Sequence, residues 1–282
     1  MNFGAYAPPA PQGGMDHVYT IEQRISHQVD IVQLFQIWGD QGSRGLNTQW
    51  LSDASSGGRK VLVTWEPQVS ADRKADQPGW SLSDILSGRY DDYIKSWAQG
   101  LAAYGKPVYL RPMHEMNGVW YPWCGTVNGN TPQKYKQAWI HIWSMFQNAG
   151  ATNVRWVWSP NAQDVPSDNR FEKYFPGSRY VDVFALDGYN WGNAYPQYGG
   201  WKSFSEIFGR AYKRIIQLGP EPVWIPETGT APEGDRAGWI SNMFHSLKTG
   251  FGRITAIVWF DAGDWQIGSD SAVLSAFRNG LN

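Results

Sequence analysis

Apolar residues gather along the chain into eight short runs, at 2–7, 31–38, 60–65, 107–113, 154–158, 181–186, 222–226 and 254–260. Most are rich in Val, Ile and aromatic residues and too continuous for strands with one wet face, so they read as strands buried on both faces. Between them lie stretches with helical spacing, at 21–29, 90–104, 132–149, 204–218 and 237–247. In the third of these, Tyr135, Trp139, Ile142 and Phe146 share one face. Strand alternating with helix predicts a parallel sheet, and eight repeats predict a closed (β/α)8 TIM barrel of the α/β class. An open doubly wound sheet would want a Gly-rich phosphate loop after the first strand, and the sequence has none there. With 282 residues and no linker, repeat or low-complexity tract, one domain over 1–282 is expected.

The segments that follow the strands are long, at 66–81, 115–131, 159–169, 187–201, 227–235 and 261–270, and concentrate Trp, Tyr, Asn, Asp and Glu. Those leading into strands, such as 148–153 and 218–221, are short and plain. In a barrel of this kind the loops after the strands form the active face. Composition adds to that picture. Charged residues are 17% and aromatics 15%, with 17 Trp and 14 Tyr, which suits a surface that holds a neutral, flat-faced ligand such as a sugar. A net charge of −1 gives no electrostatic reason to expect nucleic acid or an anionic membrane as partner. One cysteine, Cys124, allows no intramolecular disulfide and no thiolate-rich metal site. No apolar run approaches the roughly 18 residues of a membrane span. The opening MNFGAYAPPA lacks the basic and apolar regions of a signal peptide. Asn2 already enters the first strand, so the chain is expected to be a catalytic module, secreted or at the cell surface, with its targeting segment removed.

Four strands run directly into an acid: Glu66, Glu115, Glu227 and Asp261, with Asp187 just past the sixth. Hydrolysis of a glycosidic bond needs two carboxyl groups, one to protonate the leaving oxygen and one to attack the anomeric carbon or activate water. Strands four and seven lie three steps apart on an eight-strand ring, so Glu115 and Glu227 can converge across the mouth. A strand-end acid taken alone is as readily a cap for loop amides or a partner for Arg, and that reading is preferred for Glu66, Asp187 and Asp261, alongside substrate binding. His114-Glu115 would begin a zinc-peptidase motif only with a second His at 118, where Gly118 stands. No metal and no cofactor are expected.

The segment RPMHEMNGVWYPW around Glu115 resembles the acid/base segment of glycoside hydrolase family 26, within the clan of retaining barrels. WSPN at 158–161, DGYN at 187–190, PETG at 226–229 and VWFD at 258–261 are similar, in order, to the family's fifth to eighth strand ends. The resemblance implies a double displacement with Glu115 as acid/base and Glu227 as nucleophile. It also implies that Tyr189 donates its hydroxyl to the nucleophile, unless it is a core tyrosine. Trp259 resembles the clan's aromatic platform under the sugar being cleaved, with core filling as the alternative. His114 resembles the residue that contacts the sugar beside the acid. Side chains alternate along a strand, so the strand must end or bulge there for His114 and Glu115 both to face a ligand.

Arg111 shares parity with Glu115 and reads as a buried buttress paired with a carboxylate at the barrel floor. Trp120 and Trp123 read as a cleft wall, at least one of them, while Trp65, Trp191, Asn161 and Glu66 read as subsite residues. Where the family's mannanases continue Trp-Phe-Trp-Trp-Gly, this chain has Trp120-Tyr121-Pro122-Trp123-Cys124. With the GAYAPPAP opening, the change resembles the mixed-linkage β-glucanase (lichenase) branch, and Tyr121 lies where a sugar's 2-hydroxyl would be sensed. The expectation is a monomeric endo-β-1,3-1,4-glucanase acting on β-linked polysaccharide. An endo-β-1,4-mannanase with the same carboxylates is the alternative, and a carbohydrate-binding barrel without turnover is the alternative from another class.

Overall fold

A computed structural model of the chain describes residues 1–39, 44–69 and 74–282. Residues 70–73 of the expected 66–81 loop therefore lie outside the described residues. Eight strands, β1 (Asn2–Tyr6), β2 (Ile31–Ile37), β3 (Lys60–Glu66), β4 (Val108–Pro112), β5 (Val154–Trp158), β6 (Val183–Asp187), β7 (Val223–Thr228) and β8 (Ile254–Phe260), pair in chain order into a closed barrel. All the pairings are parallel, and β1 closes the ring against β8 from Asn2↔Ala256 to Tyr6↔Phe260. The architecture is the (β/α)8 barrel that the alternation of runs predicts.

Helices α1 (Asp16–Ile25), α2 (Thr48–Ala54), α3 (Leu82–Leu86), α4 (Asp91–Tyr104), α5 (Pro132–Asn148), α6 (Phe204–Ile215), α7 (Arg236–Thr249) and α8 (Ser271–Leu281) surround the strands. The first starts five residues before the expected 21–29 and ends where Ser26 turns left-handed, at φ 54°. Three helices that the sequence pattern does not predict carry side-chain caps at their starts. Asn47 accepts from Gln49 N and Trp50 N at the start of α2, Ser81 and Asp84 form a capping box on α3, and Asp270 caps α8. Between β5 and β6 the chain makes only short 3-10 turns, at Phe171–Tyr174 and Ser178–Tyr180.

The apolar residues split into two clusters. The larger fills the space between barrel and helices. The smaller takes Ile31, Leu62, Val157, Val183, Ala185, Trp224, Ala256 and Val258 from six strands and plugs the barrel itself. Two residues further along several of these strands, the interior turns polar: Gln33, Thr64, Arg111, Ser159 and Asp187 are all buried there. Another step brings Phe35, Glu66 and Phe260 to the rim. Strand alternation thus builds an apolar floor, a polar middle layer and an open mouth.

Candidate active site

Asp187 and Glu227 are register partners where β6 meets β7. Simple alternation from Trp224, which faces the barrel interior, would turn Glu227 outward. The β6–β7 register shifts between Ala185 and Asp187, and the β7–β8 register between Ile225 and Thr228. That irregularity brings Glu227 inside, where it is 1% exposed.

Arg111, from β4, meets both acids. Its Nη1 donates to both oxygens of Asp187 at 2.9 and 2.8 Å, and its Nη2 donates to Glu227 Oε1. Nε and Nη2 also donate to Thr64 Oγ1 at 3.0 and 2.8 Å, which fixes the plane of the guanidinium. Burial would pull the guanidinium's pKa down, but Asp187 and Glu227 hold it above its ordinary range. Burial pushes Asp187 well above the usual carboxylate range, with Arg111 opposing the shift and Glu227 and Glu115 adding to it. Ser159 Oγ donates to Asp187 Oδ2 at 2.8 Å. The second oxygen of Glu227, Oε2, accepts from the Tyr189 hydroxyl at 2.8 Å.

On the fourth strand, regular structure stops at Pro112 and the chain turns sharply, with Met113 at φ 50° and Glu115 at φ 52°. Left-handed backbone at a residue other than glycine costs about 1–2 kcal/mol each, so something must hold it. Three successive carbonyls are each tied down: Met113 O accepts from Tyr135 Oη at 3.1 Å, His114 O from Trp123 Nε1 at 2.6 Å, and Glu115 O from Cys124 Sγ at 3.5 Å. Burial pushes the Cys124 thiol up to about 12, so it stays a donor. The Glu115 backbone N–H reaches Ser159 O at 2.7 Å. This turn ends the strand alternation, as the paired placement of His114 and Glu115 requires. His114 Nε2 lies 3.7 Å from Glu227 Oε1 and 3.1 Å from the Tyr121 hydroxyl. Glu115 is held by neutral donors, Trp120 Nε1 to Oε2 at 2.7 Å and Asn161 Nδ2 to Oε1 at 2.9 Å.

A cavity of about 510 Å³ opens at the mouth beside these groups, lined by Tyr6, Gln12, Phe35, Gln36, Trp50, Glu66, Tyr121 and Phe260 among others. Tyr6 feels the charges of Glu227 and Glu66, after burial the main causes of its raised pKa. Across Phe260, which lies 5.9 Å from the ring of Tyr189, a second wall carries Trp191 and Trp265, 5.5 and 5.0 Å from that ring. Trp191 also packs on Tyr198 at 4.6 Å.

Among the expected binding residues, His114, Tyr121, Tyr189, Trp120, Asn161, Trp191 and Glu66 gather at this mouth. Trp259 does not. It sits on the outer face of β8, fully buried against Trp239 of α7 and Phe277 of α8. Its indole N–H supports Trp265 O at 2.7 Å, and the half-buried Trp265 is the ring that packs on Tyr189 at the second wall. Trp65 likewise points outward, packed on Trp38, Tyr93, Trp97 and Phe146. Turning either ring into the cleft would forfeit on the order of several kcal/mol of burial. Trp123 is fully buried and stacks behind Tyr121 at 4.4 Å and 10°, so it braces the wall from behind. Arg111 lies in the polar middle layer above the apolar floor. Asp261 bonds His17 at 2.9 Å and Ile267 N at 2.5 Å, away from the other acids. Sequence reasoning misses Tyr6, Phe35, Phe260 and Trp265. Period-two counting from Val258 could have found Phe260, but Trp265 lies in a loop with no such signal.

A parallel eight-stranded barrel that gathers buried acids and aromatic walls at the C-terminal ends of its strands has the features that barrel glycoside hydrolases need. The comparisons with known proteins narrow this. Residues 18–232 match Glycosyl hydrolase family 26, and the chain belongs to that family. Endoglucanase H of Acetivibrio thermocellus is 33% identical over 291 residues, taking in 100% of this chain and 30% of that protein. A mannan endo-1,4-beta-mannosidase of Bacillus subtilis is 38% identical over 164 residues, 55% of this chain and 42% of that protein. The chain therefore spans less than half the length of either relative. A solved Bacillus subtilis mannanase shares the fold, with a TM-score of 0.69 at 22% identity, covering 98% of this chain and 83% of that one.

Proposed function

We propose that the chain is a retaining endo-β-glycanase that hydrolyses β-1,4 bonds in mixed-linkage β-1,3-1,4-glucan, with Glu227 as nucleophile and Glu115 as acid/base. The observation that carries the assignment is the difference between the two carboxylates' donors. Glu227 receives a guanidinium on one oxygen and a tyrosine hydroxyl on the other, which fixes its orientation for attack. Glu115 has neutral donors, Trp120 and Asn161, which suit a group that must gain and lose a proton in each turnover. In the first step a Glu227 oxygen attacks the anomeric carbon, the glycosidic C–O bond breaks, and the Glu115 proton goes to the leaving oxygen. In the second, Glu115 takes a proton from water, whose oxygen displaces Glu227 and releases the sugar with its starting anomeric configuration.

Glucan as the substrate is supported by Tyr121, which lines the cavity and bonds His114, and by the relative named an endoglucanase, whose match spans the whole chain. A mannanase reading is favoured by the names of several other relatives. Reducing ends released from lichenan, barley β-glucan, mannan and galactomannan decide between the two. Activity on mannans without activity on lichenan refutes the glucan assignment. Glu227→Ala is expected to abolish turnover, Glu115→Ala to spare substrates with good leaving groups, and product analysis to show retention. A polymer of this size is met outside the cell, so secretion or surface display is part of the proposal.

A further inference from the structure

Glu115 is joined to the outer surface of the barrel by a continuous run of hydrogen bonds through the loop after β5. The side-chain amide of Asn117 clamps the backbone of Asn161, accepting from Asn161 N at 2.9 Å and donating to Asn161 O at 2.9 Å. The same Nδ2 donates to Asp164 Oδ1 at 2.9 Å, which settles which way round the Asn117 amide sits. Asp164 Oδ1 also accepts from Phe171 N at 3.0 Å, and its Oδ2 accepts from Arg214 Nη1, on α6, at 2.8 Å. Arg214 is fixed in turn by a fork onto Glu172, at 2.7 and 2.5 Å, and lies 4.0 Å over the ring of Phe171. Burial pushes the Glu172 carboxyl up, but Arg214 and Arg170 outweigh it and hold the group down to about 2. The anchor therefore keeps its charge across any working pH.

At the inner end, Asn161 Oδ1 accepts from Gln163 N at 2.9 Å while its Nδ2 faces Glu115 Oε1. Rotating this amide would set carbonyl against carboxylate and NH₂ against N–H, so it stays a donor. A protonated carboxyl has one O–H and one accepting oxygen. With Oε1 committed to accepting, only Oε2 can carry the proton, and the indole N–H of Trp120 must then give way. Trp120 is half-buried at the mouth and is free of this chain of bonds.

The structure assigns Asp164 and Asn117 as positioning residues that lock the Asn161 amide onto Oε1 of Glu115 and so place the working proton on Oε2. This rests on Glu115 being the acid/base. Asp164→Asn keeps the shape but sets an NH₂ against either Arg214 or Asn117. The expected result is a loss in kcat/KM of about 10-fold on polysaccharide, a fraction of what general acid catalysis supplies. On a 2,4-dinitrophenyl glycoside, whose departure needs no acid, the change stays below about twofold. Loosening a donor to the carboxylate favours its protonated form, so the alkaline limb of the pH–rate profile moves to higher pH. Arg214→Gln, at the outer end, shows the same selectivity more weakly and covers the case in which Asp164→Asn does not fold. Equal losses on both substrates, or an unmoved pH profile, overturn the proposal. Glu115→Ala separates this from the underlying reading. If it also hits both substrates equally, the acid/base assignment itself is wrong; if only the relay variants are unselective, the relay alone fails.

Discussion

Replacing Arg111 with Met, an unbranched apolar side chain two atoms shorter, removes the guanidinium from a buried group that includes Asp187 and Glu227. The lost bonds are two to Asp187, one to Glu227 and two to Thr64. Removing one partner from a buried ion pair typically costs about 3–5 kcal/mol, because the remaining charge is left uncompensated. At roughly 2–4 °C per kcal/mol for a chain somewhat smaller than this one, Tm should fall by about 6–20 °C. The loss must depend on pH. Asp187 has a folded-state pKa raised above its unfolded value of about 3.9. Such a group contributes stability that is fully present below the unfolded value and is lost as pH rises through the folded one. Without Arg111 the main opposition to the upward shift is gone and the Ser159 hydroxyl alone is a weaker one, so the deficit in Arg111→Met is largest at pH 8 and shrinks toward pH 4. Thermal unfolding of wild type and variant across that range is the assay. A deficit of the same size at pH 5 and pH 8, or a Tm within 2 °C of wild type, refutes the charge balance assigned to the polar layer.

Tyr189→Phe removes a hydrogen bond to a charged group, worth about 1.5–3 kcal/mol, so kcat/KM should fall about 10- to 150-fold with little change in Tm; a change below twofold makes the hydroxyl a bystander. Trp123→Phe leaves the buried His114 carbonyl without its donor and should cost about 1–3 kcal/mol in denaturant unfolding, releasing the left-handed turn that carries Glu115. Trp265→Ala should lower kcat/KM while leaving Tm nearly unchanged, and Trp259→Phe should cost stability first; if Trp259→Phe instead weakens binding to the native enzyme without loss of stability, the inner and outer roles of the two rings are reversed.

The strands were legible because burial on both faces leaves a continuous apolar run, and 154–158 and 254–260 match β5 and β8 residue for residue. Helices fixed by caps, such as α2 behind Asn47, were not, since a capping residue leaves no periodic trace. Within the site, the acids stood out as polar residues ending apolar runs. Which way aromatic residues face was harder to read: Trp65 and Glu66 are neighbours, yet only Glu66 looks into the cleft. The same alternation would have turned Glu227 away from it. Only the shifts in pairing between β6, β7 and β8 restore it, and a shift in register has no signature in composition. The turn at Met113 to Glu115 is held by Tyr135, Trp123 and Cys124, all of them downstream in the chain. No local reading reaches that far.

The polar layer holds two carboxylates against one guanidinium, all three almost wholly buried, so little solvent screens the imbalance. Under the proposed mechanism this excess is not permanent. Once Glu227 is esterified by a sugar it no longer bears charge, and Arg111 and Asp187 remain as a balanced pair. The resting enzyme is then the electrostatically tense species, and the covalent intermediate the relaxed one. A protein trapped with a slow-turning fluorosugar on Glu227 should melt higher than the free enzyme, even after the contacts of the sugar itself are discounted by comparison with a non-covalent ligand. Half-way through its reaction, the barrel would be at its most stable.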